Sequence, residues 1–331
     1  MKNYVKIIAN ILMDYEYFDE VNHRKEEFLT NHVIKWAQQF SESERLDIIR
    51  ITSHFLSNFY ITKTTENQFL EEIFWVDKFT RDGTVPYFLN IQGNGQSQQS
   101  LVTRLTNLRV FKKLNIRNNQ YLYIDDYIFS GGRVVQDVVP WLDRLSVDSH
   151  LYIAVIGWYK SGQYRIEQNL NRKIEEIKKI KKINITYSFI YKDAKWLLEN
   201  TKFYRNYSEN LWPKEILFDR PDLSTRKIDN VTYRAIFEPQ KMFLNESDRE
   251  FFEYISLKYG YLIMDKIQTI NTRTRPLGSH FYDYGFGGLV FNYRNCPNNT
   301  PLIFWWGSID LCHPMSSQWY PLMPRRTYSH G

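Results

Sequence analysis

The sequence predicts an α/β fold with a mostly parallel sheet, a helical layer before it and a hood-like region after it. Three observations carry this reading. From Pro86 onward, short apolar runs alternate with amphipathic stretches, the order expected of strands and crossover helices. Ahead of that, residues 24–80 place apolar side chains at helical spacing. Two glycine-bearing loops follow the first two strand-like runs, and parallel sheets bind ligands at those strand ends. The expected organisation is a helical layer over 1–85, an α/β core over 86–195 and a hood over 196–331.

Each element has its own signal. HVIKWAQQF sets Val33, Trp36, Ala37 and Phe40 on one helical face, so Trp36 reads as core. SESERLDIIRITSHFL predicts the next helix, with Ser41 and Glu44 as a capping box. TENQFLEEIF predicts another, with Thr65 and Gln68 in the same roles. YFLNIQ is the first strand, GNGQSQQ a loop, and SLVTRLTNLRVFKKL a helix with basic residues late, where the helix dipole favours them. NIRNNQ reads as a short turn before the second strand, YLYID. RVVQDVVPWLDRL, LYIAVIGWY, YRIEQNLNRKIEEIKKIKK and INITYSFIY continue as helix, strand, helix and strand. Near the C-terminus two apolar strands flank PNNTP, whose Pro and Asn suit a turn. Trp305 and Trp306 would then point to opposite faces, one into the core and one free to stack on a ring.

Composition narrows the function classes. At 331 residues, 43% hydrophobic and 17% aromatic, a sizeable core is available with rings to spare. A net charge of +6 admits phosphate-bearing partners but does not separate nucleic acid from nucleotides. Two cysteines, Cys296 and Cys312, build neither a disulfide framework nor a zinc cluster. His280 and His313 lack metal-ligand spacing, so no protein-borne metal site is expected. Lys6 and Asp14 interrupt the apolar residues of the N-terminus, which therefore lacks a signal-peptide core. No apolar run approaches the ~20 residues of a bilayer span. A cytoplasmic protein with no membrane partner is expected, and no internal repeat or low-complexity linker is visible.

The chemistry concentrates in YLYIDDYIFSGGRV, Tyr121 to Val134. Asp125 and Asp126 stand where a strand ends, and Ser130, Gly131 and Gly132 form a tight loop before a helix that begins near Arg133. Glycines let successive amides point into one concavity, and a helix N-terminus adds partial positive charge, which together cradle a phosphomonoester. Carboxylates cannot bind phosphate, but they accept hydrogen bonds from two vicinal hydroxyls, as on a ribose. An Asp pair capping a turn before a Gly-Gly bend is the structural alternative. The earlier loop, Gly93, Asn94, Gly95, Gln96 and Ser97, reads either as a second anion site or as a surface turn. Asn298 and Asn299 read equally as turn residues or as readers of a base edge. The run Arg172–Lys182 reads as a solvated amphipathic helix, with Ile residues at 174, 177, 180 and 183, or as a basic face for nucleic acid.

The order of strand, two acids, hydroxyl, two glycines and helix resembles the phosphoribosyl pyrophosphate loop of type I phosphoribosyltransferases. Asp125, Asp126, Ser130, Gly131 and Gly132 match it position by position. Arg133 departs from the usual second Thr, and its guanidinium is a substitute phosphate ligand. The resemblance implies a phosphoribosyltransferase-like core in which the acids hold the ribose hydroxyls and the loop amides hold the 5′-phosphate. It makes residues 93–97 the pyrophosphate loop and brings magnesium with the ligand, to neutralise pyrophosphate charge. WAQQF at Trp36–Phe40, IDDYIFSGG, and FNYRNCPNNTPLIFWW at Phe291–Trp306 look closest to one divergent branch. That branch is the phosphoribosyltransferase-like effectors of bacterial antiviral conflict systems, some encoded beside retron reverse transcriptases. The expected function is an antiphage effector acting on phosphoribosyl pyrophosphate or a nucleotide at ribose C1. Its partner would be a reverse transcriptase and nucleic-acid complex, met through the basic helix. The alternative is a catalytically inactive nucleotide-binding or nucleic-acid-binding subunit of a defence complex. Only Gln96 to Gln120 separates the two loops, too little for the long closing loop of active transferases. No His, Glu or Cys stands out as a general base.

Overall fold

The computed structural model describes residues 1–21, 24–72, 84–93, 97–107, 115–267 and 271–326. The chain forms two units. One combines Met1–Lys63 with Glu199–Gly331, and the other is Thr64–Leu198.

The second unit carries the sheet. Strands β2 (Thr84–Phe88), β3 (Asn115–Ile124), β5 (Ser149–Val155) and β7 (Ile185–Tyr191) lie in the order β2-β3-β5-β7, and every pairing is parallel. A smaller parallel set, β4 (Tyr127–Ile128), β6 (Gly157–Tyr159) and β8 (Leu197–Leu198), is ordered β4-β6-β8. Helices α6 (Gly132–Leu142) and α7 (Lys160–Lys181) cover one sheet face. Val134, Val138 and Leu142 from α6 and Ile166, Leu170 and Ile177 from α7 cluster with Tyr123, Leu151, Ile153 and Val155. Side chains alternate along a strand, so Tyr123 turns to this cluster while Leu122 and Ile124 turn away. Each buried aliphatic side chain here contributes about 1.5–3 kcal/mol. This is the mostly parallel α/β architecture the sequence predicts.

Several local expectations are corrected. NIRNNQ is not a turn but the first part of β3. Its polar residues are anchored rather than looped out: Arg117 Nε donates to Thr84 Oγ1 at 2.8 Å. The β2–β3 register slips between Val85 and Tyr87, and Asn119 takes a left-handed φ of 59° nearby. LYIAVIGWY is two strands, parted at Ile156, whose N–H donates to Asp126 O at 2.9 Å. The helix expected from TENQFLEEIF is α4 (Lys63–Glu72), so Thr65 lies inside it and does not cap it. The Lys63 N–H instead donates to Asp14 Oδ2 at 2.8 Å. Residues 73–80 and 108–114 lie outside the described residues. So does the end of the helix expected from SLVTRLTNLRVFKKL, which is described as α5 (Ser97–Asn107).

The first unit joins the N-terminal helices α1 (Lys2–Leu12), α2 (Lys25–Ala37) and α3 (Arg45–Phe59) to the C-terminal segment. Strand β1 (Tyr60–Ile61) pairs in parallel with β11 (Phe291–Asn292), and β9 (Thr274–Arg275) pairs antiparallel with β10 (Gly278–Ser279). Helix α8 (Glu246–Asp265) starts at Asn245, whose Oδ1 accepts the Asp248 N–H at 2.9 Å. Phe55, Phe252, Phe291 and Phe304 pack ring to ring, and Trp36 lies fully buried beside Phe304 with Nε1 donating to Ile303 O at 2.8 Å. The Ser41 N–H donates to Glu44 Oε2 at 3.1 Å, but α3 begins at Arg45 with Glu44 at its N-cap and no side-chain cap, so Ser41 does not cap it as expected. PLIFWW is not a strand: Leu302–Trp305 is a short helix, α9, so the opposite-face reading of Trp305 and Trp306 does not hold. Among the described residues, no helix is long and apolar enough to cross a membrane.

Candidate functional site

Strand β3 ends at Ile124, and Asp125 and Asp126 fill the break before β4. The neighbouring strand pins that break. The Asp125 N–H donates to Ala154 O at 3.1 Å, and Asp126 O accepts the Ile156 N–H. Asp125 is 6% exposed and its Oδ1 accepts the Asp126 N–H at 3.0 Å. Asp126 is half-buried and its Oδ1 accepts the Tyr127 N–H at 2.7 Å. The two acids are thus held at different depths, and ionised carboxylates are acceptors only, suited to hydroxyl donors.

The loop after β4 is shaped by glycine. Gly131 has φ 70°, and a Cβ there would run into the Gly162 carbonyl. A Cβ on Gly162 would in turn strike the Phe129 carbonyl. The loop and the first turn of α7 therefore meet backbone to backbone, an approach that only glycine permits. Gly132 opens α6, which has no side-chain cap. The first amides of a helix lack intrahelical acceptors, so those of Gly132, Arg133 and Val134 are donors for an anion. Ser130 is half-buried beside them.

The flanking residues tie this loop to the other one. Arg133 is exposed, and its charge acts on Asp137 one helical turn on. Asp137 accepts the Tyr123 OH at 2.9 Å and the Gly93 N–H. Burial raises its pKa, and those hydrogen bonds and Arg133 oppose the rise. Gly93 is thereby fastened to helix α6. Parallel pairing of Phe88 with Leu122 puts both loops at one end of the sheet. Asn94, Gly95 and Gln96 lie outside the described residues, and Ser97 is the first residue of α5.

Gln98, which sequence reading passed over, is fully buried. Its Oε1 accepts the N–H groups of Ile91 and Gln92, both at 2.9 Å, while its Nε2 has no hydrogen-bond partner among the described residues. The signal was present: Gln98 shares the helical face of the core residues Leu101 and Leu105, where a polar residue is out of pattern.

Of the remaining candidates, Asn298, Asn299 and Trp305 belong to the first unit. Asn298 O accepts the Ser279 N–H at 2.7 Å and Asn299 O accepts the Gly288 N–H at 2.9 Å. Trp305 Nε1 donates to Thr300 O at 2.9 Å, and the Arg325 guanidinium lies 4.9 Å from its ring centre. In the basic run Arg172–Lys182, Lys173 pairs with Asp143 at 2.9 Å and Lys181 donates to Leu145 O at 2.9 Å. Lys178, Lys179 and Lys182 border an open surface groove with Asp148 and Glu175. Ile177 is buried but Ile180 is 72% exposed, because a spacing of three residues drifts around a helix of 3.6. No group of three or more His, Cys, Asp or Glu side chains suited to a metal occurs among the described residues.

Comparison with known proteins bears on this arrangement. A family model described as PRTase-CE matches residues 33–325, from within α2 through the sheet and both loops to the C-terminal segment. Comparisons with curated proteins and with solved structures gave no match. With most of its length matched and an acid pair followed by a glycine loop at the strand end, the chain belongs to the PRTase-CE family and is a phosphoribosyltransferase-like protein.

Proposed function

We propose that the protein binds phosphoribosyl pyrophosphate or a nucleotide and acts on it at C1 of the ribose. The observation that carries this is the sequence of groups along one strand end: acceptor-only Asp125 and Asp126, then the uncapped helix start at Gly132 beside Ser130. Ribose hydroxyls donate to the carboxylates, and the 5′-phosphate takes the amides of Gly132 and Arg133. With both ends of the sugar held, the C1–O bond to pyrophosphate, or the C1–N bond to a base, breaks and the leaving group takes the electron pair. Positive charge then spreads over C1 and the ring oxygen, and the carboxylates stabilise it electrostatically. A base nitrogen or water supplies the new bond to C1. Two hard oxygen donors suit magnesium, and with no third acid grouped with them among the described residues the rest of its shell would come from ligand and water. Asp125 and Asp126 are the residues that would hold it, and the ion would neutralise pyrophosphate charge.

The physiological role we propose is that of an antiphage effector, restrained by a reverse transcriptase and nucleic-acid complex that docks on Lys178, Lys179 and Lys182. Its support is the resemblance of the Trp36–Phe40, Ile124–Gly132 and Phe291–Trp306 motifs to the conflict-system branch, together with family membership. One observation favours a second reading, nucleotide binding without turnover. Between Gln96 and Gln120 the described residues are helix α5 and the start of β3, which leaves little chain for a closing loop.

The test is to incubate purified protein with phosphoribosyl pyrophosphate and magnesium and to follow pyrophosphate release by phosphorus NMR. Release that disappears in the Asp125→Asn, Asp126→Asn double variant supports the enzyme. Binding without release supports the second reading, and absence of both rejects the site.

A further inference from the structure

We infer that Arg165, on helix α7, is a further phosphate ligand of the Ser130–Arg133 loop, joining the loop's own Arg133. The inference rests on the reading of that loop as a phosphate cradle. The backbone contact of Gly131 with Gly162 draws the first turn of α7 against the loop. Arg165 lies three residues beyond Gly162, on the same side of the helix. A Cβ placed on Gly132 would lie 3.6 Å from Arg165 Nη1 and 3.6 Å from Ser130 Oγ. Guanidinium and hydroxyl therefore both border the space beside Gly132, the first residue of α6.

Arg133 follows Gly132 in the chain, is exposed, and its charge acts to lower the pKa of Asp137. Arg165 is exposed, and among the described residues its side chain makes no hydrogen bond, ion pair or ring contact that would hold it where it stands. Its planar fork of donors suits two oxygens of one phosphate, and fixed positive charge favours the dianion. A phosphate seated here would receive the loop amides, the Ser130 hydroxyl and the Arg165 guanidinium. The ligand class is thus a sugar 5′-phosphate held from two elements, the loop and the following helix.

Calorimetry with ribose 5-phosphate and with phosphoribosyl pyrophosphate tests this on wild type, Arg165→Ala, Arg165→Lys and Arg133→Ala. Both ligands carry the same 5′-phosphate. Arg165→Ala should weaken both by the same factor, about tenfold or more, the loss expected for a hydrogen bond to a charged group. Arg165→Lys should recover part of the loss, and Arg133→Ala should also bind both ligands less tightly than wild type. The melting temperature of Arg165→Ala should equal that of wild type. Wild-type affinity in Arg165→Ala, or a loss confined to phosphoribosyl pyrophosphate, would overturn the assignment while leaving the loop reading intact. Failure of wild type to bind either ligand would reject the loop reading, and this assignment with it.

Discussion

Alanine at Gly132 should separate ligand binding from folding, and alanine at Gly131 should not. Gly132 is the first residue of helix α6, and a Cβ there meets nothing closer than 3.6 Å, an ordinary van der Waals distance. Alanine exceeds glycine by about 1 kcal/mol in a helix interior and by less at its first position, so Gly132→Ala should leave stability unchanged or raise it by less than about 1 kcal/mol. That same Cβ occupies the space between Arg165 and Ser130 where we seat the phosphate. An N–H···O bond of about 2.9 Å cannot form across an intervening methyl, so the ligand must retreat. Losing one or two charge-assisted hydrogen bonds at about 1.5–3 kcal/mol weakens phosphoribosyl pyrophosphate binding by about 10- to 100-fold or more. Gly131 has φ 70° and a Cβ there collides with the Gly162 carbonyl. The left-handed conformation alone costs a non-glycine residue about 1–2 kcal/mol, and the collision adds to it, so Gly131→Ala should destabilise by about 3 kcal/mol. Urea unfolding and calorimetric titration of both variants check the pair. Wild-type affinity in a stable Gly132→Ala protein would refute the phosphate placement, and wild-type stability in Gly131→Ala would refute the glycine contact.

Three further outcomes follow from the structure. His32 is buried, its Nε2 hydrogen-bonded to Leu322 O at 2.8 Å, and burial holds its pKa down to about 4. The unfolded chain takes up that proton near pH 6.5, so the stability His32 protects is complete above pH 6.5 and falls by about 3 kcal/mol as pH drops towards 4. His32→Gln should flatten this fall in denaturation curves at pH 7 and pH 4.5. Glu253 is buried between Arg234 and Arg249, at 2.7 and 3.0 Å, so Glu253→Ala leaves the buried Arg249 without its carboxylate and Arg234 with Glu246 alone, and should cost about 3–5 kcal/mol by urea unfolding. Reversing Lys178, Lys179 and Lys182 to Glu should abolish low-salt retention on single-stranded DNA while leaving phosphoribosyl pyrophosphate affinity unchanged; Lys181 is spared because it anchors to Asp143 and Leu145.

What could be read from the sequence divides by physical cause. The alternation of apolar strands and amphipathic helices from Pro86 is local, and the sheet order follows it. The acid pair at the end of β3 was legible because an apolar run stopping at two carboxylates leaves no doubt where the strand must end. PLIFWW misled because a short apolar run fits helix and strand alike, and Pro301 at its start suits a helix N-terminus. NIRNNQ misled because its residues favour turns in isolation, whereas pairing with β2 holds them extended. Gly162 and Arg165 carry no local signal at all. Their roles arise when the α7 start is pressed against the loop, some thirty residues away in sequence, and tertiary contact alone creates that pairing.

The central claim is that Asp125–Arg133 holds a phosphorylated ribose. A crystal structure grown with phosphoribosyl pyrophosphate and magnesium tests it most directly. The account predicts the ribose hydroxyls on the carboxylates of Asp125 and Asp126, and the 5′-phosphate within hydrogen-bond distance of the Gly132 and Arg133 amides, Ser130 Oγ and Arg165. A ligand bound at another place on the chain, with this loop empty, would contradict it.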